Sequence, residues 1–377
     1  MEKLAASIRT THFYRSRYAN TDLQSGSKTF KKLIQLEPRS LKESKMKEQQ
    51  ETSWSIGTRT LPAPTGASDV LRNSIMNTPA PDVEALRQLT PKNKAEWLAA
   101  IAKRDEESVA QVRVFTEKLV VSVENDEIEG VKVHHVIPAE IDTRHENHLF
   151  CYVHGGAYIL NGGEAGVTEA ILIAHRAKMR VLSIDYRMPP EHPFPAGLDD
   201  VVTVYQHLLG NRPAKSMALG GVSAGGGLIL AAVQKFVQLD LDLPGVLYAG
   251  TPWTDLTKTG DSYYTNEGID RGLVTYEGIL EEAAKMYAGD YALKDPLISP
   301  IYGNFHGFPP TFLVTGTRDL FLSNTVRAHI DLRAAGVEAD ILVYEGVSHG
   351  DYAFEVDSPE SQLTYAELNA FLLQHLQ

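Results

Sequence analysis

The chain has 377 residues, 43% of them hydrophobic and 22% charged, which excludes a disordered or fibrous protein and allows a sizeable core. Its 36 basic and 48 acidic side chains leave a net charge of −12, which argues against nucleic acid as a partner, since phosphate binding needs clustered positive charge. There is no run of about 18 apolar residues and no apolar core of a signal peptide near the start, so the expectation is a cytoplasmic protein without stable membrane insertion.

The first 50 residues carry a basic excess, while the remainder is strongly acidic. This segment has little sustained periodicity and leads into "RTLPAPTGAS", a connector punctuated by Pro and Gly, so it reads as an appendage. From Val70 to about Lys118 the pattern becomes helical, with "DVEALRQL" and "NKAEWLAAIAKRDEE" repeating apolar residues three and four apart. The expected division is residues 1–110 as an N-terminal extension and cap helices, and 111–377 as the catalytic domain.

Beyond Lys118 the period changes. "KLVVSV" and "VKVHHVIP" predict two strands, and from Leu149 short apolar runs alternate with amphipathic ones: "LFCYV", "RVLSID", "SMALGG", "GVLYAG", "TFLVTG" and "ADILVYE". This βαβ rhythm predicts an α/β fold, a mostly parallel doubly wound sheet that opens with an antiparallel hairpin. Ligands bind such sheets at the carboxyl ends of the strands, so the residues after each run are the informative ones. The single cysteine, Cys151, lies inside an apolar run and reads as a buried structural thiol.

"LGGVSAGGGL" follows one of those strands and precedes a helix, and its Gly221-Val222-Ser223-Ala224-Gly225 matches the G-x-S-x-G of a nucleophile elbow. A phosphate loop is the alternative, but the lysine of that motif is absent and no G-x-G-x-x-G register fits. A serine hydroxyl needs a base, and the strand-end positions supply Asp319 in "TFLVTGTRDLFLSN" and His349 in "ADILVYEGVSHGDY", in the chain order serine, acid, histidine. Asp319 could instead cap the next helix, and His349 could be an ordinary loop histidine. Asp351 and Asp255 are weaker candidates for the acid, and His306, His192 and His175 follow no strand. "LFCYVHGGAY" ends its strand in an HGG-type loop, whose Gly155 and Gly156, with Ala224, are the candidate oxyanion-hole donors. His154 is expected to orient that loop, and Tyr158 at its end is a candidate substrate contact.

These residues resemble the hormone-sensitive lipase-like branch of the α/β-hydrolases, also called bacterial esterase family IV. The resemblance spans about Lys118–Gln377 and rests on "HGGAY", "DYRMPPEHPFPA", "GVSAGG", "DPLISP", "GTRDLFL" and "SHG". It implies a triad of Ser223, Asp319 and His349, and a serine carboxylesterase acting on short- to medium-chain esters without a cofactor or metal. It also implies a cap made of the N-terminal helices and an insertion near 255–290. Lactone hydrolysis is the alternative, amide cleavage a weaker one, and a non-catalytic small-molecule receptor a third, disfavoured because His349, the histidine such receptors lack, is present here. Val222 departs from the common GDSAG and approaches the subgroup with threonine there, whose members often dimerise through a sheet edge, so a homodimer is expected.

Overall fold

A computed structural model of the protein describes residues 57–58 and 60–377. The basic N-terminal segment lies outside the described residues. Two short helices, α1 (Asp69–Asn77) and α2 (Val83–Gln88), precede the long α3 (Lys94–Leu119). Ser68, Asp82 and Asn93 cap them, each side chain accepting a first-turn N–H as short polar side chains do at helix starts. Because α3 continues unbroken from Lys94 to Leu119, the expected boundary at residue 110 falls inside a helix. Trp97, Val112, Phe115 and Leu119 are its buried face, and that apolar stripe has no break at residue 110.

Strands β1 (Val121–Ile128) and β2 (Val131–Pro138) form the expected antiparallel hairpin, in register from Val121↔Pro138 to Ile128↔Val131. Its two-residue turn, Glu129-Gly130, has both φ angles positive (50° and 83°), the conformation that matches the twist of paired strands. β3 (Leu149–Val153), β4 (Val181–Asp185), β5 (Met217–Val222), β6 (Val246–Gly250), β7 (Thr311–Gly316) and β8 (Ala339–Tyr344) complete an eight-stranded sheet of order β1-β2-β4-β3-β5-β6-β7-β8. All pairs from β4 to β8 are parallel, and β2 is antiparallel to β4.

The helices α4 (Thr168–Ala177), α5 (Ala196–Leu209), α6 (Ala224–Gln238), α9 (Leu322–Ala334) and α11 (Pro359–His375) cover both faces. The insertion between β6 and β7 carries α7 (Ser262–Thr265) and α8 (Ile279–Ala288), and α10 (Asp351–Phe354) follows β8. Every residue of β3, β6 and β7 is buried, as expected of parallel strands covered on both sides. Alternation then splits each strand between two cores: Phe150, Val246 and Phe312 pack with residues of α4 and α11, whereas Cys151, Leu247 and Leu313 pack with α5, α6 and α9. Burial pushes the Cys151 thiol up to about 12, so it is an inert part of the core. Residues Pro62–Gln377 form one compact unit. No helix among the described residues is long and apolar enough to cross a membrane.

Phe236 of α6 is fully buried and stacks on Tyr205 of α5 with centroids 4.2 Å apart. Phe236→Ala is expected to destabilise the fold by about 3–5 kcal/mol in chemical denaturation, the usual cost of a vacated aromatic site. A loss below about 1 kcal/mol would mean that this helix pair does not hold the core.

Candidate active site

β3 and β5 are neighbours, but the chain leaves β3 in one direction for β4 and later returns to its other side for β5. This is the switch point of the sheet, where a crevice opens between loops that diverge. Ser223 stands there, between the end of β5 and the first residue of α6, at φ 56° and ψ −122°. A residue with a Cβ avoids such angles, at a cost of order 1–3 kcal/mol, unless its surroundings impose them. Here they do: Ser223 N–H donates to Gly250 O (2.8 Å), while Ser223 O accepts from Trp253 N–H (2.8 Å) and Gly227 N–H (3.1 Å). Gly225 must be glycine for the reason of space: a Cβ would stand 2.1 Å from Val153 O and 2.5 Å from His154 O.

His349 follows β8 and Asp319 follows β7. Asp319 is fully buried and its carboxylate has four donors. Oδ1 accepts from His349 Nδ1 (3.0 Å) and Phe321 N–H (2.8 Å), and Oδ2 from the hydroxyls of Thr315 (2.8 Å) and Thr251. The helix-cap alternative does not hold, since α9 starts at Leu322 and Asp319 turns its side chain to the histidine. Thr251 was not singled out in the sequence; its Oγ1 accepts from His349 Nδ1 (2.9 Å) while its own proton goes to Asp319, closing a three-membered ring of hydrogen bonds. The tautomer follows from these partners: Nδ1 carries the proton and Nε2 is left as the basic nitrogen. The Phe321 ring meets the imidazole edge to face at 4.8 Å. Burial pulls the His349 imidazolium down, but the charge and hydrogen bond of Asp319, with Asp270 and Asp351 beyond, outweigh it and hold the group above its ordinary value.

The other candidates are engaged elsewhere. Asp351 is ion-paired with Arg271 (3.1 Å) and accepts Ser348 N–H, and Asp255 is ion-paired with Arg327 (2.7 Å). His175 and His306 bind the carbonyls of Leu119 and Ala335, and His192 is exposed.

The loop after β3 turns at Gly156, whose φ of 115° and a Cβ position 2.3 Å from Leu160 O both require glycine. The hydrogen bonds of the described residues give the N–H groups of Gly155 and Gly156 no acceptor, and the N–H of Ala224 is one of the orphan donors at the start of α6. Neighbouring Val222 O would lie 2.8 Å from a Cβ on Gly155, which places this loop directly against the elbow. His154 is buried and stacked on Tyr186 at 4.3 Å. Burial lowers its pKa, and neutral Nδ1–H donates to Gly155 O (2.8 Å), so it braces the loop as the sequence suggests. Tyr158 is placed otherwise than expected. Its ring is buried beneath the loop, stacked on Tyr287 of α8 at 3.8 Å and tilted on Trp253, and it does not line the cavity. The loop's left-handed turn at Ala157 and Tyr158 (φ 53° and 65°) accompanies this inward placement, a backbone detail that composition does not encode.

A cavity of about 650 Å³ joins these parts. Ser223, His349, Gly155 and Gly156 line it together with Trp97 and Ile101 of α3 and Leu273 and Leu280 of the insertion. Its size and mostly apolar walls suit a small molecule with one polar reacting group. No hydrogen bond joins Ser223 Oγ to His349, although both open onto the same space; such contacts often tighten only once substrate is bound.

The profile of a family described as "alpha/beta hydrolase fold" matches residues 150–353, more than half of the chain. The crystal structure of an esterase E25 is 59% identical and superposes with a TM-score of 0.85, covering 86% of this chain and 99% of that one. An esterase from the bacterial hormone-sensitive lipase family is 27% identical with a TM-score of 0.67, covering 82% and 99%. An esterase of Acinetobacter venetianus is 28% identical over 263 residues, 69% of this chain and 84% of its own. The switch-point elbow, the HGG loop and these matches agree: the chain belongs to the α/β-hydrolase superfamily, in the bacterial hormone-sensitive lipase family of esterases.

Proposed function

We propose that the protein is a serine carboxylesterase that acts through an acyl-enzyme on short- to medium-chain esters. The observation that carries this reading is the pairing of His349 Nδ1 with buried Asp319, which leaves Nε2 as a base on a residue that lines the same cavity as strained Ser223. Relatives named as esterases support the ester bond as the target. In this mechanism His349 takes the Ser223 proton as Oγ attacks the carbonyl carbon. Asp319 and Thr251 hold the imidazole in its tautomer, and Asp319 stabilises the imidazolium. The free N–H groups of Gly155, Gly156 and Ala224 receive the oxyanion. The imidazolium then returns the proton to the departing alcohol, and water repeats the sequence on the acyl-enzyme.

A panel of p-nitrophenyl esters of increasing acyl length tests the assignment. Ser223→Ala and Asp319→Asn are expected to lower kcat by about 10³-fold or more, whereas Asp255→Asn retains activity. Wild-type rates from Ser223→Ala, or a larger loss in Asp255→Asn than in Asp319→Asn, would show that the nucleophile or the acid lies elsewhere.

The base must be neutral to accept the proton, so activity rises with pH as His349 deprotonates. Because its pKa is raised in the folded protein, the acid limb of kcat/KM is expected above the ordinary imidazole value of 6.5. A limb centred below 6.5 would contradict the charge environment described.

The outer edge of β8 has no strand partner among the described residues, and Val343 on it and Ile330 of α9 are 46% and 56% exposed. We infer from this edge a homodimer paired through β8. Sedimentation is expected to give a dimer that a charged substitution, Val343→Lys, converts to monomer; a monomeric wild type would refute it.

A further inference from the structure

The insertion between β6 and β7 reaches behind the cavity wall to the residues that hold the imidazole. Asp270, within it, is fully buried, and both carboxylate oxygens are used. Oδ1 accepts from the N–H groups of Gly272 (2.8 Å) and Leu273 (3.0 Å), and Oδ2 accepts from Leu320 N–H (2.7 Å). Leu320 is the residue after Asp319, so Asp270 clamps the acid loop from the insertion side. On the other side, Gly272 comes so close to the His349 loop that a Cβ on it would stand 3.0 Å from His349 O. Arg271 fastens that second loop, its Nε donating to Asp351 Oδ1 at 3.1 Å and its Nη1 to Ser74 Oγ of α1 at 2.7 Å.

The charges that face His349 differ in how they are matched. Asp319 bonds the imidazole directly, and the charge of Asp351 is met by Arg271. Thr251, Phe321 and Ser223, which complete the surroundings, are neutral. Among the described residues Asp270 has only neutral amide donors and forms no ion pair, so its charge is directed at the dyad without a compensating cation. Burial, with the charge of Asp319 adding to it, pushes Asp270 up to about 6, and His349 and the amide donors pull the other way. Above that pH it is ionised in an interior where charge acts over several ångströms.

We propose that Asp270 is a positioning residue for ester hydrolysis: it fixes the acid loop through Leu320 and, as a second negative charge facing His349, favours the imidazolium that forms when Ser223 attacks. This rests on the roles given above to Ser223 and His349. Asparagine at 270 keeps the shape and can still accept from Gly272 and Leu273, but it removes the charge and turns a donor toward Leu320 N–H.

The test is the pH dependence of kcat and kcat/KM for p-nitrophenyl butyrate in the wild type, Asp270→Asn, Asp270→Glu and Asp255→Asn. Asp270→Asn is expected to move the acid limb down by at least about 0.5 pH unit and to lower kcat about 10-fold or more, with KM changed less than about 3-fold. Asp270→Glu restores the wild-type limb and part of kcat, and Asp255→Asn, which removes a buried carboxylate of the same segment, leaves the limb in place. A wild-type limb in folded Asp270→Asn, or an equal shift in Asp255→Asn, overturns the proposal. Should Asp270→Asn not fold, Asp270→Glu decides: a displaced limb overturns the proposal, and a wild-type limb with reduced kcat upholds it. Activity surviving in Ser223→Ala would instead remove the underlying reading, whatever Asp270 does.

Discussion

The site depends on one backbone conformation. Ser223 is held at φ 56° and ψ −122° by three main-chain hydrogen bonds, one to strand β6, one from the segment that follows it and one from the first turn of α6. That turn leaves Ser223 on the cavity lining and starts α6 within one residue, so the orphan N–H of Ala224 immediately follows the hydroxyl-bearing residue. It also forces α6 against the end of β3, which only glycine at 225 allows. Ser223, the N–H of Ala224 and the loop carrying Gly155 and Gly156 are therefore placed by a single local strain, stabilised by the parallel sheet around it.

The same logic extends to Asp319 and His349. Their loops follow β7 and β8, and both strands are anchored in two cores at once, so neither loop end can shift without disturbing packing on both faces. What the sheet leaves free is the rotation of the imidazole. Thr251 and Asp319 fix that rotation together, because the threonine hydroxyl accepts from Nδ1 and donates to the carboxylate in one arrangement only.

Much of this was legible in the sequence because it depends on local pattern. The six apolar runs, the helical stretch from Val70 to about Lys118, the elbow glycines and the positions of Asp319 and His349 just past their strands all follow from residue type and spacing. Tyr158 was not legible, since whether an aromatic at the end of a loop faces a cavity or packs under it depends on Tyr287 and Trp253, far along the chain. Nor was the limit at residue 110, which runs through α3. Thr251 and Asp270 gave no signal either: a threonine after a strand and an aspartate in a polar insertion are ordinary until the fold brings them to His349.

Glu169 carries this argument furthest. It lies in the first turn of α4, where an acidic residue complements the helix dipole and gives no reason to expect burial, yet it is 3% exposed. Its carboxylate accepts from the hydroxyls of Tyr248 (2.7 Å), Tyr365 (3.0 Å) and Tyr152 (3.1 Å), and Tyr352 joins through Tyr248 at 3.0 Å. Burial raises its pKa and the three donors oppose that rise. An unpartnered carboxylate in this interior would cost several kcal/mol, so the tyrosines must converge on it from β3, β6 and α11. Tyr352 sits three residues beyond His349, on α10. Four tyrosines from separate segments thus tie the loop of His349 to the central strands through one buried carboxylate, while the insertion holds the same loop through Arg271 and Asp351.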